Sequence, residues 1–306
     1  MKVIGARFLL AASLGLTAFP SLGCATKNRL NQEIRLEHAA ATSDGVPAWW
    51  AAVPPVDAGA PLVIFVEGDG GNCQSFSEGL WTRFVTRFAG RFVLVRPHWR
   101  VNSLCEDRER WALLDFRHRI AELETVVPAL RRAFPGRPVI VLGHSAGAHV
   151  ARAYAEAHPD DVAGLINLSG GYDDLSGVLR DIAEEDPARA PAIEGFVLEV
   201  RGMPPQAPIW DRTALFWQEM LGSGVRTLWS SYRKPCLALH GMKDDTSVPY
   251  RGVRKDADEV EAAGGSCRLV VLEDAGHDTL DEATFQLIDG WLEAGWPSTP
   301  ARGTQH

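Results

Sequence analysis

The chain lacks a cluster of Lys and Arg. Its 31 basic residues are outnumbered by 39 acidic ones, for a formal net charge of −8 over 306 residues. Without a concentrated positive surface there is nothing to hold a phosphate backbone, which argues against nucleic acid as a partner. The five cysteines include no C-x-x-C spacing, so a thiolate metal site is not indicated. No stretch reads as disordered, and no internal repeat is visible. The N-terminal apolar run, Phe8 to Phe19, is too short to span a bilayer comfortably. What is present is 46% hydrophobic residues, enough for one large α/β domain with a sizeable core. The ten tryptophans suit either that core or the wall of an apolar pocket.

The N-terminus reads as a targeting segment rather than part of the fold. Lys2 and Arg7 precede the apolar run, and Ser21-Leu22-Gly23 supplies small residues where a signal peptidase cuts. Residues 1–23 are therefore expected to be a secretory signal peptide. Their loss removes two cations and no acid, taking the net charge from −8 to −10. Cys24, directly after Gly23, resembles the attachment cysteine of bacterial lipoproteins, although Ser21 stands where an aliphatic residue is usual. The expected location is export to the periplasm, or to the outer membrane or cell surface as a lipoprotein; one acyl chain alone would anchor it only reversibly.

The stretch Pro138 to Gly147 organises the rest. Val139 to Leu142 is an apolar, β-branched run of the kind that forms a buried parallel strand. Gly143-His144-Ser145-Ala146-Gly147 then turns sharply, and Ala148 to Ala157 has helical composition and spacing. Ser145 could simply cap that helix. Strand, G-x-S-x-G and helix in succession instead form a nucleophile elbow, in which a strained turn exposes the serine hydroxyl. On these residues the chain resembles the α/β-hydrolase superfamily over roughly residues 60–295. The resemblance implies a mostly parallel sheet with helices on both faces and a serine nucleophile.

The remaining pattern fits a βα rhythm. Strands are predicted at Pro61–Val66, Arg91–Arg96, Val162–Leu168, Pro235–His240 and Ser266–Leu272. Helices are predicted around Ser77–Arg87, Glu106–Phe134, Tyr250–Ala263 and Thr279–Ala294, the second with alternating charge on an outer face. Leu30–Glu37 and Val46–Val53 suggest two antiparallel edge strands within an N-terminal segment, residues 24–60. The hydrolase core is then residues 61–173 and 235–296, with a tail at 297–306. Residues 174–234 break the rhythm: they are helical in character and carry Trp210, Phe216, Trp217 and Trp229. In the family an insertion here forms a cap over the site; the alternative is a decoration packed by its own aromatics.

Beside Cys24 there are four cysteines, an even number for an oxidising compartment. Cys73 and Cys105 each follow a predicted strand, and Cys236 and Cys267 each begin one. The expected pairs are Cys73–Cys105 and Cys236–Cys267, the alternative being four free buried thiols.

A serine needs a base and an orienting carboxylate, and the family order is Ser, acid, His. His277, in Ala275-Gly276-His277 after the last strand, matches the family's base. His240 ends a strand ahead of the acid loop, in a structural position. The acid loop Gly241-Met-Lys-Asp244-Asp245-Thr-Ser-Val248-Pro249 is one residue longer than the family pattern. Counting from Gly241 selects Asp244; counting back from Val248 selects Asp245. The strand end fixes the loop's origin, which favours Asp244. The oxyanion hole calls for the N–H of Ala146 and one from the loop after Pro61–Val66, where Asp69 fits by position with Gly68 or Gly70 as substitutes. Glu67 replaces a usual histidine, and with Asp69 it sets negative charge near the site, which disfavours anionic substrates. The whole predicts an esterase acting through an acyl-serine, needing no metal or organic cofactor, on a small or polymer-linked ester. A peptidase of the same fold and a non-catalytic binding protein are the alternatives.

Overall fold

The computed structural model describes residues 35–41, 47–53, 59–68, 77–98, 116–171, 174–209, 212–222, 233–244, 247–264, 266–277 and 281–295. Ten strands lie among them: β1 (Arg35–Ala41), β2 (Pro47–Val53), β3 (Leu62–Val66), β4 (Val93–His98), β5 (Val139–His144), β6 (Gly164–Leu168), β7 (Pro208–Ile209), β8 (Arg212–Thr213), β9 (Cys236–Gly241) and β10 (Cys267–Leu272). The α-helices among them are α1 (Ser77–Phe88), α2 (Phe116–Ala133), α3 (Ala146–Ala157), α4 (Leu175–Glu185), α5 (Ala190–Gly202), α6 (Ala214–Leu221), α7 (Tyr250–Ala262) and α8 (Glu282–Glu293).

Eight strands form one sheet in the order β1-β2-β4-β3-β5-β6-β9-β10. The six from β4 to β10 run parallel, and β2 and β1 extend the sheet antiparallel at one edge. The parallel strands are expected to be apolar throughout because helices cover both of their faces. Every residue of β3 and β5 is buried. Alternation then divides the core: Leu62, Ile64 and Val66 pack with α2, α3 and α7, whereas Val63 and Phe65 pack with α1 and α8. The connection after β3 leads to β4 on one side, and the connection after β5 leads to β6 on the other. That reversal opens a crevice at the carboxyl ends of β3 and β5, where ligands of such sheets bind.

Several predicted bounds move. The strand predicted over Leu30–Glu37 is described from Arg35 and continues to Ala41 in register with β2 (Glu37 opposite Trp50); residues 30–34 lie outside the described residues. The helix predicted from Glu106 is described from Phe116, and residues 106–115 lie outside the described residues. Its charged face is not wholly outer: Arg119 and Glu122 are 3% and 1% exposed.

The insertion contributes α4, α5, the small β7–β8 pair and α6, and neither short strand joins the large sheet. Phe216 is buried in the core with Val178, Ile182 and Met220, and Trp217 packs beside them. Phe196 of α5 meets Trp217 edge-on at 5.9 Å. These aromatics pack the insertion; Trp210 and Trp229 lie outside the described residues. So do residues 1–34, Cys73, Cys105 and the tail, and with them the predicted signal segment, Cys24 and the first disulfide. Cys236 and Cys267 are joined by a disulfide. Among the described residues no helix is long and apolar enough to cross a membrane.

Candidate active site

The turn after β5 has the backbone of a strained elbow. Ser145 stands at φ 52° and ψ −126°, outside the regions that L-residues favour. Its N–H donates to Leu168 O at 2.9 Å, and its carbonyl accepts from the Ala148 N–H at the start of α3. Its side chain makes no capping bond to that helix, so the capping explanation of the serine is set aside. The flanking glycines are steric necessities. A side chain at Gly143 would strike the backbone of Gly147 and Ala148, and one at Gly147 would strike the carbonyls of Val66 and Glu67.

Two further loops meet Ser145 across the top of the sheet. His277 Nε2 lies 3.0 Å from Ser145 Oγ, and His277 Nδ1 lies 2.6 Å from Asp244 Oδ2. A carboxylate only accepts, so Nδ1 carries the imidazole proton and Nε2 is left to accept the serine hydroxyl. The other oxygen of Asp244, Oδ1, accepts the N–H groups of Ser247 and Val248, each at 3.2 Å. Burial by itself would push the Asp244 carboxyl up. The bond from His277, and the charges of His277 and His240, outweigh it and hold Asp244 below the ordinary carboxylate range.

The loops that carry Asp244 and His277 are tied together. Met242 N–H donates to Leu272 O and Lys243 N–H to Ala275 O, both at 2.9 Å. His240, 1% exposed, donates from Nε2 to Val248 O at 2.9 Å and so closes the acid loop. Burial holds His240 below the usual imidazole value despite the neighbouring Asp244. Of the two aspartates that counting left open, Asp244 reaches His277; Asp245 lies outside the described residues.

Sequence reasoning missed two side chains. His144 is buried, and its Nε2 lies 3.4 Å from the carbonyl of His277. Burial, and next the charge of His277, push its pKa down to about 3, so it is a neutral spacer. Arg119, from α2, donates to the carbonyl of Glu67 at the root of the β3 loop. No pattern marks a buried arginine in a helix of alternating charge; G-x-S-x-G marks only the place of His144.

On the oxyanion side, Ala146 opens α3 directly after the serine. Gly68 backs onto it so closely that a Cβ there would sit 2.8 Å from Ser145 Cβ. Asp69 and Gly70 lie outside the described residues. Among the described residues no group of three or more His, Cys, Asp or Glu is arranged to hold a metal ion.

Comparisons with known proteins bear on the fold. Residues 105–186 match the family model described as serine aminopeptidase, S33. Human monoglyceride lipase is 28% identical over 107 residues, covering 35% of this chain and 34% of that protein. The match thus spans about a third of the curated relative. Est1E from Butyrivibrio proteoclasticus, solved with ferulic acid bound, superposes with a TM-score of 0.61 at 17% identity, covering 82% of this chain and 96% of that one. The Pyrococcus furiosus esterase superposes at 0.55 with 17% identity, covering 90% and 96%. Taken with the sheet order, these likenesses identify the architecture: the chain has the α/β-hydrolase fold.

Proposed function

We propose that the protein is a serine hydrolase that cleaves carboxylic esters, with Ser145 as nucleophile, His277 as general base and acid, and Asp244 as the carboxylate that orients His277. The observation that carries the reading is the line of contacts from Asp244 through His277 to Ser145, at 2.6 and 3.0 Å, ending on a serine in a strained elbow. Ser145 Oγ attacks the ester carbonyl as His277 Nε2 takes its proton, and Asp244 steadies the resulting imidazolium without accepting a proton itself. The tetrahedral oxyanion is met by the N–H of Ala146 and by one from the β3 loop, Asp69 by position. As the intermediate collapses, His277 returns the proton to the leaving alcohol. Water, activated by the same His277, then hydrolyses the acyl-serine and regenerates the enzyme. No step calls on a metal or organic cofactor.

The name of the monoglyceride lipase and the ferulic acid in Est1E support an ester of a small organic acid or glyceride as substrate class. A polymer-linked ester remains within the proposal. The serine aminopeptidase model favours a second reading, amide cleavage by the same machinery. Kinetics on p-nitrophenyl esters of graded acyl length, beside aminoacyl p-nitroanilides, separate the two. Faster turnover of esters, with an acyl adduct on Ser145 by mass spectrometry, is the expected result; anilide turnover exceeding ester turnover replaces it with the peptidase.

We further propose that residues 1–23 are removed on export and that Cys24 carries lipid, placing the enzyme in the periplasm or on the outer membrane or cell surface. The mass of the mature N-terminus tests this: an acylated Cys24 is expected, and an unprocessed Met1 contradicts it.

A further inference from the structure

The loop after β3 touches Ser145 on one side, and a buried arginine holds its root from another. Arg119, in the first turn of α2, is 3% exposed and donates from Nη2 to the backbone carbonyl of Glu67. The same carbonyl lies against Gly147 in the first turn of α3, where a side chain would strike it. The next residue, Gly68, abuts the elbow: a Cβ there would stand 2.8 Å from Ser145 Cβ and 2.9 Å from His144 O. A single peptide group, Glu67 to Gly68, therefore links Arg119 to the nucleophile.

A trans peptide is planar, with its C=O and N–H pointing in opposite directions. A hydrogen bond from a permanent charge is roughly twice as strong as a neutral one, and a guanidinium is always charged. Burying that charge is costly unless it is well partnered, so its place against this carbonyl is a strong local constraint. The Glu67 carbonyl is held toward Arg119, and the Gly68 N–H must face away from it.

We infer that Arg119 is a positioning residue for the nucleophile: by holding the Glu67 carbonyl it fixes the Glu67–Gly68 peptide that packs against Ser145, and so the backbone that the tetrahedral intermediate on Ser145 meets. The inference rests on the serine-hydrolase reading above. It assigns Arg119 no contact with substrate.

The test uses the full chain with Arg119→Met and Arg119→Lys. Three quantities are read per active site, the sites being counted with a fluorophosphonate: kcat, KM, and the inhibition constant of an arylboronic acid, which adds to the serine as a tetrahedral anion. Arg119→Met is expected to lower kcat by about 10²-fold, near the low end for loss of an oxyanion donor. KM should stay within about twofold, and boronate affinity should weaken in proportion to kcat/KM. Arg119→Lys, which keeps a charged donor, is expected to recover part of both. An unchanged kcat per labelled site, or a change confined to KM, would overturn the inference. Should Arg119→Met fail to fold, Arg119→Gln, which removes the charge, decides in its place: a parallel loss of kcat and boronate affinity supports the role, and wild-type values for both refute it. A wild-type protein that neither hydrolyses esters nor labels at Ser145 would remove the hydrolase reading, and this inference with it. An active wild type beside an unaffected variant removes this inference alone.

Discussion

Cys236 and Cys267 are the first register pair of the parallel strands β9 and β10, with Cα atoms 4.3 Å apart and a disulfide between them. The far ends of the same two strands lead into the loops that carry Asp244 and His277. The bond therefore staples, at one end, the strand pair whose other end holds the proposed acid and base. It closes a loop of 31 residues, for which restriction of the unfolded chain contributes about 3–4 kcal/mol. Reduction, or the double variant Cys236→Ala/Cys267→Ala, is expected to lower Tm by about 10 °C. The intact register should leave kcat near the wild-type value. Thermal unfolding with and without reductant checks this; equal midpoints would contradict it.

The acid was the one member of the site that counting residues left open between two neighbours. Asp244→Asn should reduce kcat by about 10⁴-fold, because an amide cannot hold His277 in the tautomer that accepts from Ser145. Asp245→Asn should change it by only a few-fold. Steady-state kinetics of the two variants, each checked for folding, settle the matter; a larger loss at Asp245 would reassign the acid.

Gly147 is fixed by close approach. A methyl group there would overlap the carbonyls of Val66 and Glu67, so either α3 or the β3 loop must shift. Gly147→Ala is expected to cost about 3 kcal/mol by overpacking. Activity should fall more than stability alone explains, because the displaced loop borders Ser145. Denaturant unfolding and kcat on the same sample test both halves.

Acid should destabilise the fold through a buried imidazole. His144 is held neutral, with its pKa pushed from 6.5 to about 3, chiefly by burial. Its folded pKa is below its unfolded value, so between about pH 3 and 6.5 the unfolded chain binds a proton that the folded chain does not. Stability is then complete above about pH 6.5 and declines as pH falls toward 3. Asp244, held low, adds a loss of the same sign at lower pH. His144→Asn should flatten the slope of unfolding free energy against pH between 6 and 4; an unchanged slope would contradict the assignment.

The parts of the site visible in the sequence are those built from local pattern. Ser145 is marked by a β-branched run, two glycines and a helix, and His277 by its place after the last strand. Both readings need only short-range rules. Asp244 was favoured only by counting from the strand end, because what fixes it is the folding of the Ser247 and Val248 N–H groups back onto the carboxylate. Arg119 and Glu122 read as solvent-facing charge because nothing in a helical repeat shows which turn lies under a loop from elsewhere in the chain. The far end of β1 was placed short for a related reason: an edge strand takes its register from its neighbour. Phe216 and Trp217 were equally compatible with a pocket and with packing, and only tertiary contacts separate these.

The proposed function requires that Ser145 be an activated nucleophile. Labelling of the folded protein with a fluorophosphonate, beside Ser145→Ala, measures that in one experiment. One label per chain, lost in the variant, is the predicted result. Equal labelling of the two proteins, or none in a wild type shown to be folded, would contradict it.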